Sequence, residues 1–171
     1  MRVFLTGFMG AGKTTVGRLL AHRLGVSFAD LDVEIEKQAA KTVVEIFAQE
    51  GELVFRQREY EALRAVSQRS EVVVATGGGT PTSARNLNLM SRGGINLWLD
   101  VPFSVILERV GVNGQEDRPL FRNRSQARRL YQSRLEAYGR ADQRICVMPE
   151  DTSEDVMERA FQALGGESCA T

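Results

Sequence analysis

The chain has 171 residues, 43% of them hydrophobic, and its 22 Lys and Arg balance its 22 Asp and Glu. That length suits one domain spanning 1–171 around one buried core. A net charge of zero argues against nucleic acid as a partner, and no apolar run reaches the ~18 residues of a membrane span. Cys146 and Cys169 are too few and too far apart for a disulfide framework or a zinc site. With no signal-peptide pattern at the start, a cytoplasmic, reducing location is expected, and a monomer. His22, the only histidine, falls off the apolar stripe of its helix, so histidine chemistry is not expected.

Val3-Phe4-Leu5-Thr6 reads as a buried strand that runs into a glycine loop. Val16, Leu19, Leu20 and Leu24 then repeat at helical spacing, and Gly25 is a natural stop. Ser27 to Leu31 is a second strand, closing in Asp30-Leu31-Asp32. Residues 33–48 look helical, and Thr42-x-x-Glu45 has the spacing of a capping box that starts a fresh helix. Gly51 breaks that segment, and residues 52–67 form another helix with Phe55, Ala62 and Val66 on one side.

Val72–Ala75 is a β-branched strand bounded by Gly77-Gly78-Gly79. A helix over 82–92 ends at Gly93-Gly94, Ile95–Leu99 is a strand, and Pro102 opens a helix through Val110. Residues 111–126 are an unpatterned polar loop, 127–138 a helix, and Arg144–Met148 a last strand. Ser153 is expected to cap a final helix whose Val156, Ala160, Phe161 and Leu164 face the core. Strands that alternate with helices imply an α/β fold: a parallel sheet of about five strands with helices on both faces. Such sheets hold ligands at the carboxyl ends of their strands.

One motif names a ligand directly. Gly7-x-x-x-x-Gly12-Lys13-Thr14 is a complete phosphate-binding P-loop pattern, placed between a strand and a helix. Backbone N–H groups over Gly10, Ala11 and Gly12, continuing to Thr14 and Thr15, can turn toward a nucleotide's phosphates, and the helix N-terminus adds positive potential. Lys13 can reach the β- and γ-phosphates, and the Thr14 hydroxyl can ligate Mg²⁺. The expected fold is therefore a three-layer P-loop kinase fold, with ATP as co-substrate and Mg²⁺ as cofactor. GTPases and ATPases share the loop, but the guanine-reading Asn-Lys-x-Asp is missing, so a small-metabolite kinase is the best generic reading.

Three further features face the acceptor side. Asp30 and Asp32 end the second strand, where two solvated carboxylates would also be unremarkable. Arg56 and Glu59 lie three apart on a helix, as an ordinary surface ion pair would. Gly77-Gly78-Gly79 exceeds what a turn needs and suggests backbone that a ligand approaches closely.

Together these segments resemble shikimate kinase, from Phe4 to about Tyr138. The resemblance is carried by Gly-x-Met-Gly-Ala-Gly-Lys-Thr at 7–14, Phe28-x-Asp30-x-Asp32 and Val44-Glu45-Ile46-Phe47. Gly51-Glu52-x-x-Phe55-Arg56-x-x-Glu59, Gly77-Gly78-Gly79, Arg118-Pro119-Leu120 and Arg134-x-x-x-Tyr138 complete it. It implies phosphoryl transfer from ATP to shikimate, a small ring with three hydroxyls and a carboxylate.

By resemblance, Asp32 holds the ring hydroxyls, including the attacking one, and Asp30 sits near the Mg²⁺ shell with Thr14. Arg56 and Arg134 clamp the carboxylate, Glu59 orients Arg56, and Gly77, Gly78 and Gly79 supply the substrate loop, with a backbone contact from Gly78. A substrate-binding helical segment lies at about 33–62. Arg118, with Lys13 and Asp32 in the catalytic set, reaches the phosphates from a lid over about 111–126, and Arg109 stacks on adenine. The chain departs from the family pattern at Leu135-Glu136-Ala137, where Pro-Leu is common. The other readings are a gluconate or nucleoside-monophosphate kinase of the same build, and a nucleotide-binding module without catalysis.

Overall fold

Along the first strand Val3 and Leu5 join one hydrophobic cluster and Phe4 joins another, because successive strand residues point to opposite faces. Val73 and its neighbours Val72 and Val74 repeat the split on the adjacent strand. In the computed structural model, which describes residues 1–110 and 123–166, these strands form a five-stranded sheet in the order β2-β3-β1-β4-β5. They are β1 (Arg2–Thr6), β2 (Ser27–Asp30), β3 (Val72–Ala75), β4 (Ile95–Asp100) and β5 (Gln143–Cys146). Every pairing is parallel. Near-continuous apolar strands are what a sheet covered on both faces requires.

One face carries α1 (Lys13–Leu24), α6 (Phe103–Val110), α7 (Arg124–Tyr138) and α8 (Ser153–Ala163). The other carries α2 (Leu31–Ala39), α3 (Val43–Gln49), α4 (Gly51–Val66) and α5 (Ala84–Gly93). The three-layer α/β expectation therefore stands. The P-loop follows β1, Asp30 and Asp32 stand at the end of β2, and the glycine triplet follows β3, so these three motifs leave the carboxyl edge of the sheet.

Local signals account for most boundaries. Thr42 and Glu45 form the expected capping box, which divides 33–48 into α2 and α3. Gly51 does more than interrupt: at φ 83° it turns the chain and opens α4. Four expectations shift. The helix expected from 82 begins at Ala84, because Thr80-Pro81-Thr82 forms a separate 3₁₀ turn. Pro102 stays outside α6, its carbonyl accepting the Ile106 N–H at 3.1 Å. Helix α7 starts at Arg124, taking the end of the expected 111–126 loop. The last strand lies at 143–146 rather than 144–148, and its Cys146 is exposed. Among the described residues no helix is long and apolar enough to cross a membrane.

The final helix also starts differently. Thr152, not Ser153, is the cap: its Oγ1 accepts the Asp155 N–H at 3.1 Å, and Asp155 accepts the Thr152 N–H at 2.9 Å. Ser153 is the first helical residue. Thr152→Ala is accordingly expected to cost ~1 kcal/mol, lowering Tm by about 2–4 °C in thermal unfolding, whereas Ser153→Ala leaves Tm within about 1 °C of the parent. The reverse ranking would return the cap to Ser153.

Candidate active site

The loop after β1 is held open by backbone that only glycine adopts easily. Gly7 has φ 136°, and a β-carbon there would sit 2.7 Å from the Leu99 carbonyl oxygen. Gly12, at φ 89°, caps α1, so the N–H groups of the first helical turn begin at Lys13. The Ala11 N–H donates to the Phe8 carbonyl at 3.1 Å and closes the turn. Lys13 Nζ donates to the carbonyls of Gly7 and Phe8, both at 2.9 Å, which places its ammonium across the loop.

Asp30 joins this loop to the acceptor side. Its Oδ2 accepts the Thr14 hydroxyl at 2.7 Å, and its Oδ1 accepts the Asp32 N–H at 3.1 Å, capping α2. The cap turns the chain so that Asp32 faces a cleft of about 550 Å³. Gly10, Gly12, Thr15, Gly77, Gly78 and Arg109 are among its walls, along with Lys13 and Thr14. Burial pushes the Asp32 carboxyl up to about 6, the Asp30 charge adds to the rise, and Lys13 opposes it. A carboxylate raised toward neutrality beside a phosphate loop is suited to accepting a proton.

The glycine triplet explains how side chains from three helices converge. None of Gly77, Gly78 and Gly79 has a positive φ, so the need for glycine is one of space. A β-carbon at Gly77 would lie 3.2 Å from Asp32 Oδ1 and 3.2 Å from Glu59 Oε1. One at Gly78 would lie 3.2 Å from Arg134 Nη1, and one at Gly79 would lie 2.9 Å from both terminal nitrogens of Arg56. The sequence suggested crowding by a ligand; the crowding seen here comes from the protein's own acceptor-side residues. Arg56 and Arg134 are not among the described residues that line the cleft; Arg134 leans on Gly78, which does line it, and Arg56 on Gly79, the next residue along.

The Arg56–Glu59 pair is not the surface ion pair its spacing allowed. Glu59 is 1% exposed. Its Oε2 accepts Arg56 Nη1 at 3.1 Å and Asn86 Nδ2 at 3.3 Å, and its Oε1 accepts the Thr80 hydroxyl at 2.7 Å. Glu52, by contrast, meets Arg56 from the exposed side at 3.1 Å. On α7, Tyr138 donates to the Gly78 carbonyl at 2.7 Å, holding the helix that carries Arg134 against the triplet. Burial pushes the Tyr138 phenol up to about 12, so it remains a donor.

The roles of Thr80, Asn86 and Tyr138 went unseen in sequence reasoning. Only Tyr138 had a signal, one helical turn after Arg134; Thr80 and Asn86 look like turn and surface residues. Arg118 and residues 111–122 of the expected lid lie outside the described residues, as does Cys169.

A parallel sheet with a P-loop after β1, an aspartate just after β2, and a glycine triplet after β3 that two helix-borne arginines pack against, defines a P-loop small-molecule kinase. The family described as Shikimate kinase matches residues 9–165. The chain belongs to the shikimate kinase family.

It is 42% identical over 165 residues to the shikimate kinase of Thermosynechococcus vestitus, covering 95% of this chain and 88% of the relative. The shikimate kinase of Aquifex aeolicus is 37% identical over 167 residues, 97% of each chain. Among solved structures, shikimate kinase from Acinetobacter baumannii in complex with shikimate superposes with a TM-score of 0.88 at 36% identity, covering 95% of this chain and 92% of that one. A gluconokinase from Sinorhizobium meliloti shares the fold at 16% identity, with a TM-score of 0.59 over 96% of this chain and 91% of that one. The fold alone therefore leaves the acceptor open, and the family match separates the two.

The raised Asp32 carboxyl has a consequence for stability. The folded chain binds this proton more tightly than the unfolded chain, so stability falls as pH rises from about 4 to about 6, and the penalty is complete above that. Asp32→Asn is expected to raise the Tm of the ligand-free protein near neutral pH, by an amount of order 1–3 kcal/mol in stability, and to match the parent near pH 4. Thermal unfolding at the two pH values checks this, and a variant less stable than the parent at neutral pH would contradict it.

Proposed function

We propose that this chain transfers the γ-phosphoryl group of ATP to the 3-hydroxyl of shikimate, giving shikimate 3-phosphate for aromatic amino-acid (chorismate) biosynthesis. The observation that carries this reading is the meeting of Asp32, Arg56 and Arg134 on one glycine triplet, beside the loop that carries Lys13. A carboxylate and two guanidinium groups suit a small molecule that has both hydroxyls and an acid. A planar guanidinium fork matches a carboxylate in a way that an ammonium does not.

Phosphoryl transfer needs positioning and charge neutralisation more than covalent help. The amides around Gly10–Thr15 and the Lys13 ammonium would hold the transferred phosphate, and Arg109, a residue of the cleft wall, would stack on the adenine. Thr14 and Asp30, a hydroxyl and a carboxylate already 2.7 Å apart, would hold Mg²⁺, which neutralises phosphate charge. Among the described residues no group of three or more His, Cys, Asp or Glu could hold a metal. That suits an ion bound by one or two carboxylates together with phosphates and water. Asp32 orients the attacking hydroxyl and takes its proton. Arg118, outside the described residues, is assigned to the phosphates by family resemblance alone.

Arg56 is already engaged when the acceptor arrives, and magnitudes decide which partner yields. The Glu52 contact is largely exposed, and such a pair is worth ~0–1 kcal/mol. The Glu59 contact is buried at its acidic end, and breaking it would strand a charge. The acceptor carboxylate therefore displaces Glu52, while Glu59 keeps the guanidinium in place.

A product assay with ATP and Mg²⁺ over a panel of acceptors tests the assignment. Phosphorylated shikimate is expected, and activity with gluconate but not shikimate would overturn it. Arg56→Ala should raise the KM for shikimate by ~10–100-fold, the worth of one charge-assisted contact; an unchanged KM would remove Arg56 from the acceptor site. Lys13→Ala should lower kcat by about two orders of magnitude or more through lost charge stabilisation, and near-normal turnover would refute its role.

A further inference from the structure

Glu59 sits where a carboxylate is costly, and three donors surround it. One is Arg56, the group assigned to the acceptor's acid. The other two, Thr80 and Asn86, come from the 3₁₀ turn and from α5, and neither lines the cleft. Asn86 is 2% exposed, and its amide is turned one way for a chemical reason. Its Nδ2 faces two acceptors, Glu59 Oε2 at 3.3 Å and the Thr80 carbonyl at 3.1 Å. A reversed amide would set Oδ1 against both. The orientation seen leaves Oδ1 buried with no hydrogen-bond partner among the described residues.

A buried acceptor left unpaired is normally selected against. If Asn86 only filled space, leucine, similar in volume and without the orphan oxygen, would do so at less cost. What offsets the orphan is the donor that Asn86 gives to Glu59.

We propose that Asn86 and Thr80 are positioning residues that set the affinity for the acceptor's carboxylate, by fixing Glu59 and through it Arg56. This rests on the acceptor assignment made above. Without these donors the Glu59 carboxylate has, among the described residues, Arg56 as its remaining hydrogen-bonding partner and is free to turn with it. The guanidinium then loses the aim set by the close fit of Arg56 to Gly79, where a β-carbon would stand 2.9 Å from its nitrogens. Neither residue is among those that line the cleft with the phosphate loop, so the effect is expected to fall on the acceptor.

Steady-state kinetics and thermal unfolding of Asn86→Leu, Thr80→Val and Thr80→Ser test this. Asn86→Leu and Thr80→Val are each expected to raise the KM for shikimate roughly tenfold, as removing a partner that orients a ligand-binding group commonly does. The KM for ATP and kcat should stay within about twofold of the parent, and Thr80→Ser, which keeps the hydroxyl, should restore the parent KM. An unchanged shikimate KM in folded Asn86→Leu would overturn the proposal. So would a parallel change in both KM values and kcat that tracks a fall in Tm. Should Asn86→Leu fail to fold, the Thr80 pair decides, and equal shikimate KM values for Val and Ser would overturn it. A parent protein inactive on shikimate overturns the acceptor assignment and this inference together; an active parent with indifferent variants overturns this inference alone.

Discussion

Asp32, Glu59, Arg56 and Arg134 crowd one short run of backbone, and they can do so only because Gly77, Gly78 and Gly79 project nothing into the space. The triplet follows the buried strand β3, next to β1 and its phosphate loop in the sheet, so what it gathers is held at a fixed height above the nucleotide site. The limit is steric: a methyl group at Gly79 would meet the Arg56 guanidinium inside normal contact distance, and one at Gly77 would press on two carboxylates. The proposed acceptor site draws its side chains from helices α2, α4 and α7, yet the strand end sets their spacing.

Charge follows the same plan. Lys13 crosses the phosphate loop, and Asp32 stands opposite with its carboxyl raised by burial and by Asp30. Asp30 is tied to Thr14 on one side and to the backbone of Asp32 on the other, so the two halves of the cleft share one carboxylate. Asp32 bears an energetic cost that its proposed role would explain: a fully solvated aspartate would be more comfortable and a weaker base. The buried Glu59 is a second such cost, offset by three donors where a surface glutamate would need none.

The sequence made the nucleotide side readable because a P-loop needs particular residue types at fixed spacing, and the flanking strand and helix carry strong periodicity. The capping box at Thr42 was legible for the same reason, since the spacing is the mechanism. Asp32 and Arg56 were legible only through family resemblance. Their burial was not, because Arg-x-x-Glu on a helix looks the same whether its acid faces solvent or Asn86. Thr80 and Asn86 left no local trace, since their partner is more than twenty residues away in the chain. The shift of the last cap from Ser153 to Thr152 shows that adjacent hydroxyls compete on backbone geometry, and only Thr152 has Asp155 three residues on. The strand expected at 144–148 ends at Cys146, although the Val147 N–H still bonds to the Asp100 carbonyl.

The claim on which all of this turns is that one acceptor molecule bridges the aspartate and the arginines at the triplet. A crystal structure of the protein with shikimate and ADP measures that directly. The account requires the acceptor's carboxylate on the Arg56 guanidinium and a ring hydroxyl within about 3.2 Å of the Asp32 carboxylate, facing the phosphate loop. Shikimate bound with its acid away from Arg56, and with no hydroxyl reaching Asp32, would contradict it.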